Sequence, residues 1–175
     1  SPLSEMYGLK AMELINENLA TACKNPTDLQ ARGAMMLGSY LGGCAITAGI
    51  GIAHIMAQPL GAMYKIPHGD ACSIFLPVAM ELNLEYAPHK YAKIAQALGC
   101  YDPALDDLAN GKKAIERVKA IREEIGAPTS LKPYMKEEPD MDFIVNTVKN
   151  TTGHIKCNPK PLNEQLMMDA FRMAQ

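Results

Sequence analysis

The chain has no tryptophan, and aromatic residues fill only 6% of its 175 positions. Twelve methionines replace that missing bulk, which points to a core packed with flexible thioethers. Also missing is any Cys-x-x-Cys pair. The five cysteines (Cys23, Cys44, Cys72, Cys100, Cys157) are scattered and odd in number, which argues against a disulfide framework and against a thiolate zinc site. They read as reduced core thiols of a cytoplasmic protein. No basic stripe exists, because a net charge of −2 is spread over both signs, so nucleic acid is not an expected partner. No stretch alternates apolar and polar residues as a half-buried strand would, and no repeat or low-complexity tract interrupts the chain.

Charge itself is missing from residue 34 to residue 64. That is long enough to cross a bilayer. The run nevertheless contains six glycines together with His54, Gln58 and Pro59, and lacks the Leu/Ile/Val density of a membrane span. Two buried helices explain it better, and no membrane is expected as a partner. The opening Ser1-Pro-Leu-Ser-Glu5 carries no charged-then-apolar secretory pattern.

With 48% hydrophobic and 21% charged residues, the chain reads as one helical domain over 1–175 with a real core. Ser1 as N-cap and Pro2 at the first helical position open an amphipathic helix to about residue 23. Thr27-Asp-Leu-Gln30 reads as a capping box for a helix to about Thr47. Gly38 and Gly42 lie one turn apart there, where a neighbouring helix can approach closely. Residues 50–62 form the next helix, which Pro59 should kink or end early. Further helices are expected from Gly69 to Leu84, from Pro88 to Gly99, from Lys112 to Ile125, from Met141 to Lys149, and after an Asn163 cap. Residues 100–111, 129–138 and 150–161 read as loops. The fold class is all-α, a bundle of about seven or eight helices with buried central members.

The uncharged run ends in the most informative text of the chain: Gly51-Ile-Ala-His54-Ile-Met-Ala-Gln58-Pro-Leu-Gly61, then Ile66-Pro67-His68-Gly69-Asp70. A helix-borne His54 and a His68 at the mouth of the following helix can converge on one point, and imidazole is a common metal ligand. Two ligands on one ion place their nearest nitrogens about 3 to 3.5 Å apart. The fourteen-residue spacing matches no general zinc pattern, so core histidines remain the alternative reading. His89 and His154 read as surface residues.

This stretch, running on to Leu76-Pro77, resembles the signature of the iron-containing alcohol dehydrogenases. Weaker matches flank it at Ser1–Ile15, Asp28–Arg32 and Cys157–Lys160, in the same order. The resemblance implies that His54 and His68 are metal ligands, for Fe²⁺ or Zn²⁺, in an enzyme that exchanges hydride between an alcohol or aldehyde substrate and NAD(P). It also implies two further ligands, an Asp and a His four residues later, on a helix upstream of the segment matching Ser1. No strand, Gly-rich loop and helix unit is present to bind a dinucleotide. The expectation is therefore a C-terminal piece of a larger dehydrogenase, inactive alone, for which a homo-oligomer is compatible. Gln58 stands where members of the family commonly carry a His near the nicotinamide. It is the candidate catalytic residue, though glutamine can only donate or accept hydrogen bonds. Asp70 suits the start of its helix. Glycerol dehydrogenase, dehydroquinate synthase and a non-catalytic helical module are the competing readings.

Overall fold

A computed structural model describes residues 1–135, 139–150 and 157–175. His154 and parts of the loops expected over 129–138 and 150–161 lie outside them. The described residues form eight α-helices and one 3-10 turn, with no strand: α1 (Pro2–Lys24), α2 (Leu29–Ile46), α3 (Ile52–Tyr64), α4 (His68–Asn83), the 3-10 turn (Leu84–Tyr86), α5 (Pro88–Ala97), α6 (Asp107–Glu124), α7 (Met141–Asn150) and α8 (Glu164–Ala174). The helices fall into two compact units. One comprises Ser1–Ala48 and Ala87–Gly126, the other Gly49–Tyr86 and Ala127–Gln175. None of the helices is long and apolar enough to cross a membrane. The uncharged run is broken between α2 and α3.

The first unit is a hairpin of α1 and α2 with α5 and α6. Ser1 caps α1, and its hydroxyl and backbone are paired reciprocally with Ser4. Asp28 caps α2, not Thr27 as expected. Its carboxylate accepts the amides of Gln30 and Ala31, both at 3.0 Å, while the Thr27 hydroxyl is engaged by the Asn25 side chain at 2.9 Å. Gly38 meets α1 closely: a Cβ there would lie 3.1 Å from Ile15 Cγ1. Gly42 faces open space, so only one of the two glycines packs as expected.

α6 begins five residues before its expected start, because Asn110-Gly111 is helical and buried rather than a turn. Side-chain hydrogen bonds to the loop just before the helix overrule the turn propensity of that pair. The Asn110 side chain donates to the carbonyls of Asp102, Leu105 and Asp106 and accepts the Asp102 amide at 2.7 Å. Asn16 of α1 ties the unit together, donating to the Leu98 carbonyl and accepting from Arg117 Nε at 2.8 Å. At the surface Glu5 pairs with Lys90 and Lys93. Hydrogen bonds from those two ammonium groups hold its carboxyl down at about 2.

The second unit packs α3, α4, α7 and α8 around Ile52, Ile55, Met56, Leu60, Ile74, Phe75, Ile144 and Val148, all at most 1% exposed. α3 runs on through Pro59 to Tyr64 instead of ending early. Pro59 is itself buried in that core, and side-chain burial of about 1.5–3 kcal/mol per residue outweighs one missing backbone hydrogen bond. In α8 the expected inward residues Leu166, Met167, Ala170 and Phe171 are buried, beneath a cap from Asn163 to the Leu166 amide at 2.8 Å.

Candidate metal centre

Both candidate histidines stand in the first turns of helices in the second unit. α3 starts at Gly51, which has no side chain to satisfy the orphan amides of a helix start. Asn158 does so from a distance in sequence. Its Oδ1 accepts the Ile52 amide at 3.1 Å and the Asn83 side chain at 3.0 Å. Its Nδ2 donates to Asn83 Oδ1 at 2.8 Å and to the Lys160 carbonyl at 2.7 Å. This buried amide pair fixes where α3 begins, two residues before His54.

The link from α3 to α4 is three residues long and turns sharply. Lys65 lies in the left-handed region, with φ 53°. Ile66 then folds back along α3, so that a Cβ on Gly61 would lie 3.4 Å from the Ile66 carbonyl oxygen. Pro67 takes an extended conformation and starts α4 without a side-chain cap. His68 is the first residue of that helix. Asp70, in the same turn, accepts a hydrogen bond from the Tyr134 hydroxyl at 2.7 Å, anchoring segment 127–135 to the start of α4. That bond raises the Tyr134 pKa.

The outcome is convergence. The rings of His54 and His68 meet edge to face, with centroids 4.6 Å apart and an interplanar angle of 76°. His54 is half-buried and His68 is exposed, so neither is a core histidine. Cys72 joins them. Its sulfur is 3.4 Å from His68 Nε2 and 3.8 Å from His54 Nδ1, and one donor atom from each of the three residues lies within 4.8 Å of the others. Half-burial of Cys72 pushes its thiol pKa up. Cys72 is partly buried and packs against the core, as expected, with its sulfur turned to the two rings. His68 and Cys72 are spaced i, i+4 on one helix face, a signal present in the sequence. Cys23, Cys44, Cys72 and Cys100 are free thiols. Gln58 is exposed one turn after His54, and His89 is exposed at the start of α5.

Imidazole nitrogen and cysteine sulfur are donors that divalent transition metals take, and these three are grouped closely enough that they could hold one ion. The family model for the C-terminal part of the Fe-containing alcohol dehydrogenase family matches residues 1–175. The chain belongs to the iron-containing alcohol dehydrogenase family. Among curated relatives it is 33% identical to 1,3-propanediol dehydrogenase of Klebsiella pneumoniae over 175 residues, covering 99% of this chain and 45% of that protein. It is 31% identical to an NADPH-dependent butanol dehydrogenase of Clostridium saccharobutylicum, covering 98% and 44%. A crystal structure of 1,3-propanediol oxidoreductase superposes with a TM-score of 0.94 at 33% identity, over all of this chain and 46% of that one. The alcohol dehydrogenase from Oenococcus oeni gives 0.93 at 30% identity, again over 100% and 46%. The chain thus spans less than half the length of these alcohol dehydrogenases, and its all-helical fold is that of this family.

Proposed function

We propose that this chain is the metal-holding part of an NAD(P)-dependent dehydrogenase that interconverts a primary or secondary alcohol with its aldehyde or ketone. The observation that carries the reading is the meeting of His54 and His68 at the starts of α3 and α4, in a member of a family whose relatives are named for propanediol and butanol. His54 and His68 are the assigned ligands. A bound Fe²⁺ or Zn²⁺ supplies Lewis acidity, which lowers the pKa of an alcohol and polarises a carbonyl.

The chain's own residues do the positioning. The Asn83–Asn158 pair sets the start of α3 and hence the height of His54. Lys65, Ile66 and Pro67 return the chain so that His68 arrives opposite. Gln58 is assigned to hydrogen-bond a polar group of the substrate or cofactor. Its amide holds no titratable proton near neutral pH, so proton movement passes to water or to a cofactor hydroxyl.

Equilibrium dialysis of the chain against Zn²⁺ or Fe²⁺ tests the ligand assignment. His68→Ala is expected to weaken binding by at least about 10-fold, the effect that even an indirect partner of a metal ligand produces. Equal metal content in the variant and the parent would overturn it.

A further inference from the structure

We infer that Tyr134 is a positioning residue for the candidate metal centre, holding the first turn of α4, and with it His68, through Asp70. This inference rests on the assignment of His68 as a metal ligand above. His68 is exposed, so its place depends on the backbone that carries it more than on packing around its ring. That backbone has little support of its own. The turn ahead of it puts Lys65 at φ 53°, a conformation that a residue other than glycine keeps only where its surroundings impose it. Pro67 starts α4 without a side-chain cap, so the amides of the first turn lack the partner that a capping residue gives.

The support comes from another part of the chain. The Tyr134 hydroxyl donates to Asp70 Oδ2 at 2.7 Å, and a hydrogen bond to a carboxylate is stronger than one between neutral groups. Asp70 is half-buried and lies in the same turn as His68. Tyr134 is itself well anchored. Its amide donates to the Leu131 carbonyl at 2.9 Å, and the Leu131 amide donates to the Ala174 carbonyl at the end of α8, also at 2.9 Å. Leu131 is 1% exposed, and Tyr134 packs against the same core. A second tie flanks the turn. The Asp140 amide donates at 3.1 Å to the hydroxyl of Tyr64, the last residue of α3, and the Asp140 carboxylate accepts the Phe143 amide at the start of α7. The turn that delivers His68 is thus fastened before it by Tyr64 and after it by Tyr134. The tie at Tyr134 acts on the ligand's own turn.

Tyr134→Phe removes the hydroxyl and keeps the packed ring. In the chain titrated with Zn²⁺ it is expected to weaken binding by about 10-fold, the lower end of what indirect partners of metal ligands cost. Hydrogen exchange read amide by amide shows where the effect arises. The Ala71 amide, bonded to the Pro67 carbonyl in the first turn of α4, should exchange faster, while the Ile55 amide at the start of α3 should keep its rate. Asp70→Ala completes the test: once it has removed the acceptor, adding Tyr134→Phe should weaken Zn²⁺ binding no further. Parent-like Zn²⁺ affinity in Tyr134→Phe, or a further loss in the double variant, overturns the positioning role and leaves the histidine assignment standing. Faster exchange at Ala71 and Ile55 alike means a general loosening and overturns the role as well. Absence of Zn²⁺ binding by the parent chain overturns both readings.

Discussion

The two units hold their helices together by different means. In the second, Phe75, Ile52, Ile55, Met56, Leu60, Ile74, Leu131, Ile144 and Val148 are all completely buried. Among the large, fully buried side chains of the described residues, the first unit contributes one, and it is the polar Asn110. Its interior is mostly alanine, with Ala11, Ala22, Ala31, Ala92, Ala95 and Ala114 buried, and its helices are fastened by Asn16, Asn110 and surface ion pairs. A core of large apolar groups resists local distortion because each side chain touches many others. That is the environment in which two ring systems and a sulfur can be held at fixed distances. Small-residue helix packing with polar ties suits a scaffold. The candidate metal centre lies in the unit with the denser apolar core.

The sharpest way to break this contrast is to hollow out the second unit. Phe75→Ala should cost about 3–5 kcal/mol, read by urea denaturation. It should also weaken metal binding, since Phe75 is on the same helix as His68 and Cys72. A loss below about 1 kcal/mol would mean that the core is looser than its burial implies.

A pair of asparagine variants compares the polar ties. Asn158→Ala removes the side-chain partner of the Ile52 amide and of the Asn83 side chain, and Asn110→Ala removes that of the Leu105 carbonyl and the Asp102 amide. Each should cost about 1–3 kcal/mol. The distinguishing measurement is hydrogen exchange coupled to metal affinity. Asn158→Ala should open the first turn of α3 and weaken the site, whereas Asn110→Ala should open only segment 102–106. Equal metal affinity in the two variants would remove Asn158 from its positioning role.

The smallest effect concerns the ion pairs of the first unit. Glu5 has its pKa lowered from 4.5 to about 2 by Lys90 and Lys93. Its contribution is complete above pH 4.5 and fades as pH falls toward 2. Because both lysines are exposed, that contribution is at most about 1 kcal/mol. Glu5→Gln should therefore lower stability slightly at pH 7 and much less at pH 2, and an equal difference at both pH values would refute the electrostatic origin.

Local sequence rules anticipated most of the helices. Pro2, Pro88 and Asn163 mark helix starts and Gly99 and Gly126 mark stops, and both glycines take positive φ. The same rules missed the detail at three points. Thr27 lost the cap to Asp28, Pro59 was carried through by core burial, and Asn110-Gly111 was drawn into α6 by the loop it fastens. His54 and His68 were legible because they sit in a distinctive stretch of text. Cys72 packs against the core as a single thiol in an apolar helix ordinarily does, and the meeting of its sulfur with the His54 ring, eighteen residues away, was not visible in the sequence.

By itself the sequence determined that the chain is helical, where most helices begin, and which two imidazoles are candidates. The helices follow from periodicity, capping and fixed backbone dihedrals, all local in the chain, and the two imidazoles from a stretch that resembles a known family's signature. Only the tertiary structure decided that the helices divide into an alanine-lined unit and a densely packed one, that Asn158 completes the start of α3 from more than a hundred residues away, and that sulfur joins the two rings. Each of these depends on side chains meeting across chain separations that no local rule spans, and on the burial that makes such meetings stable.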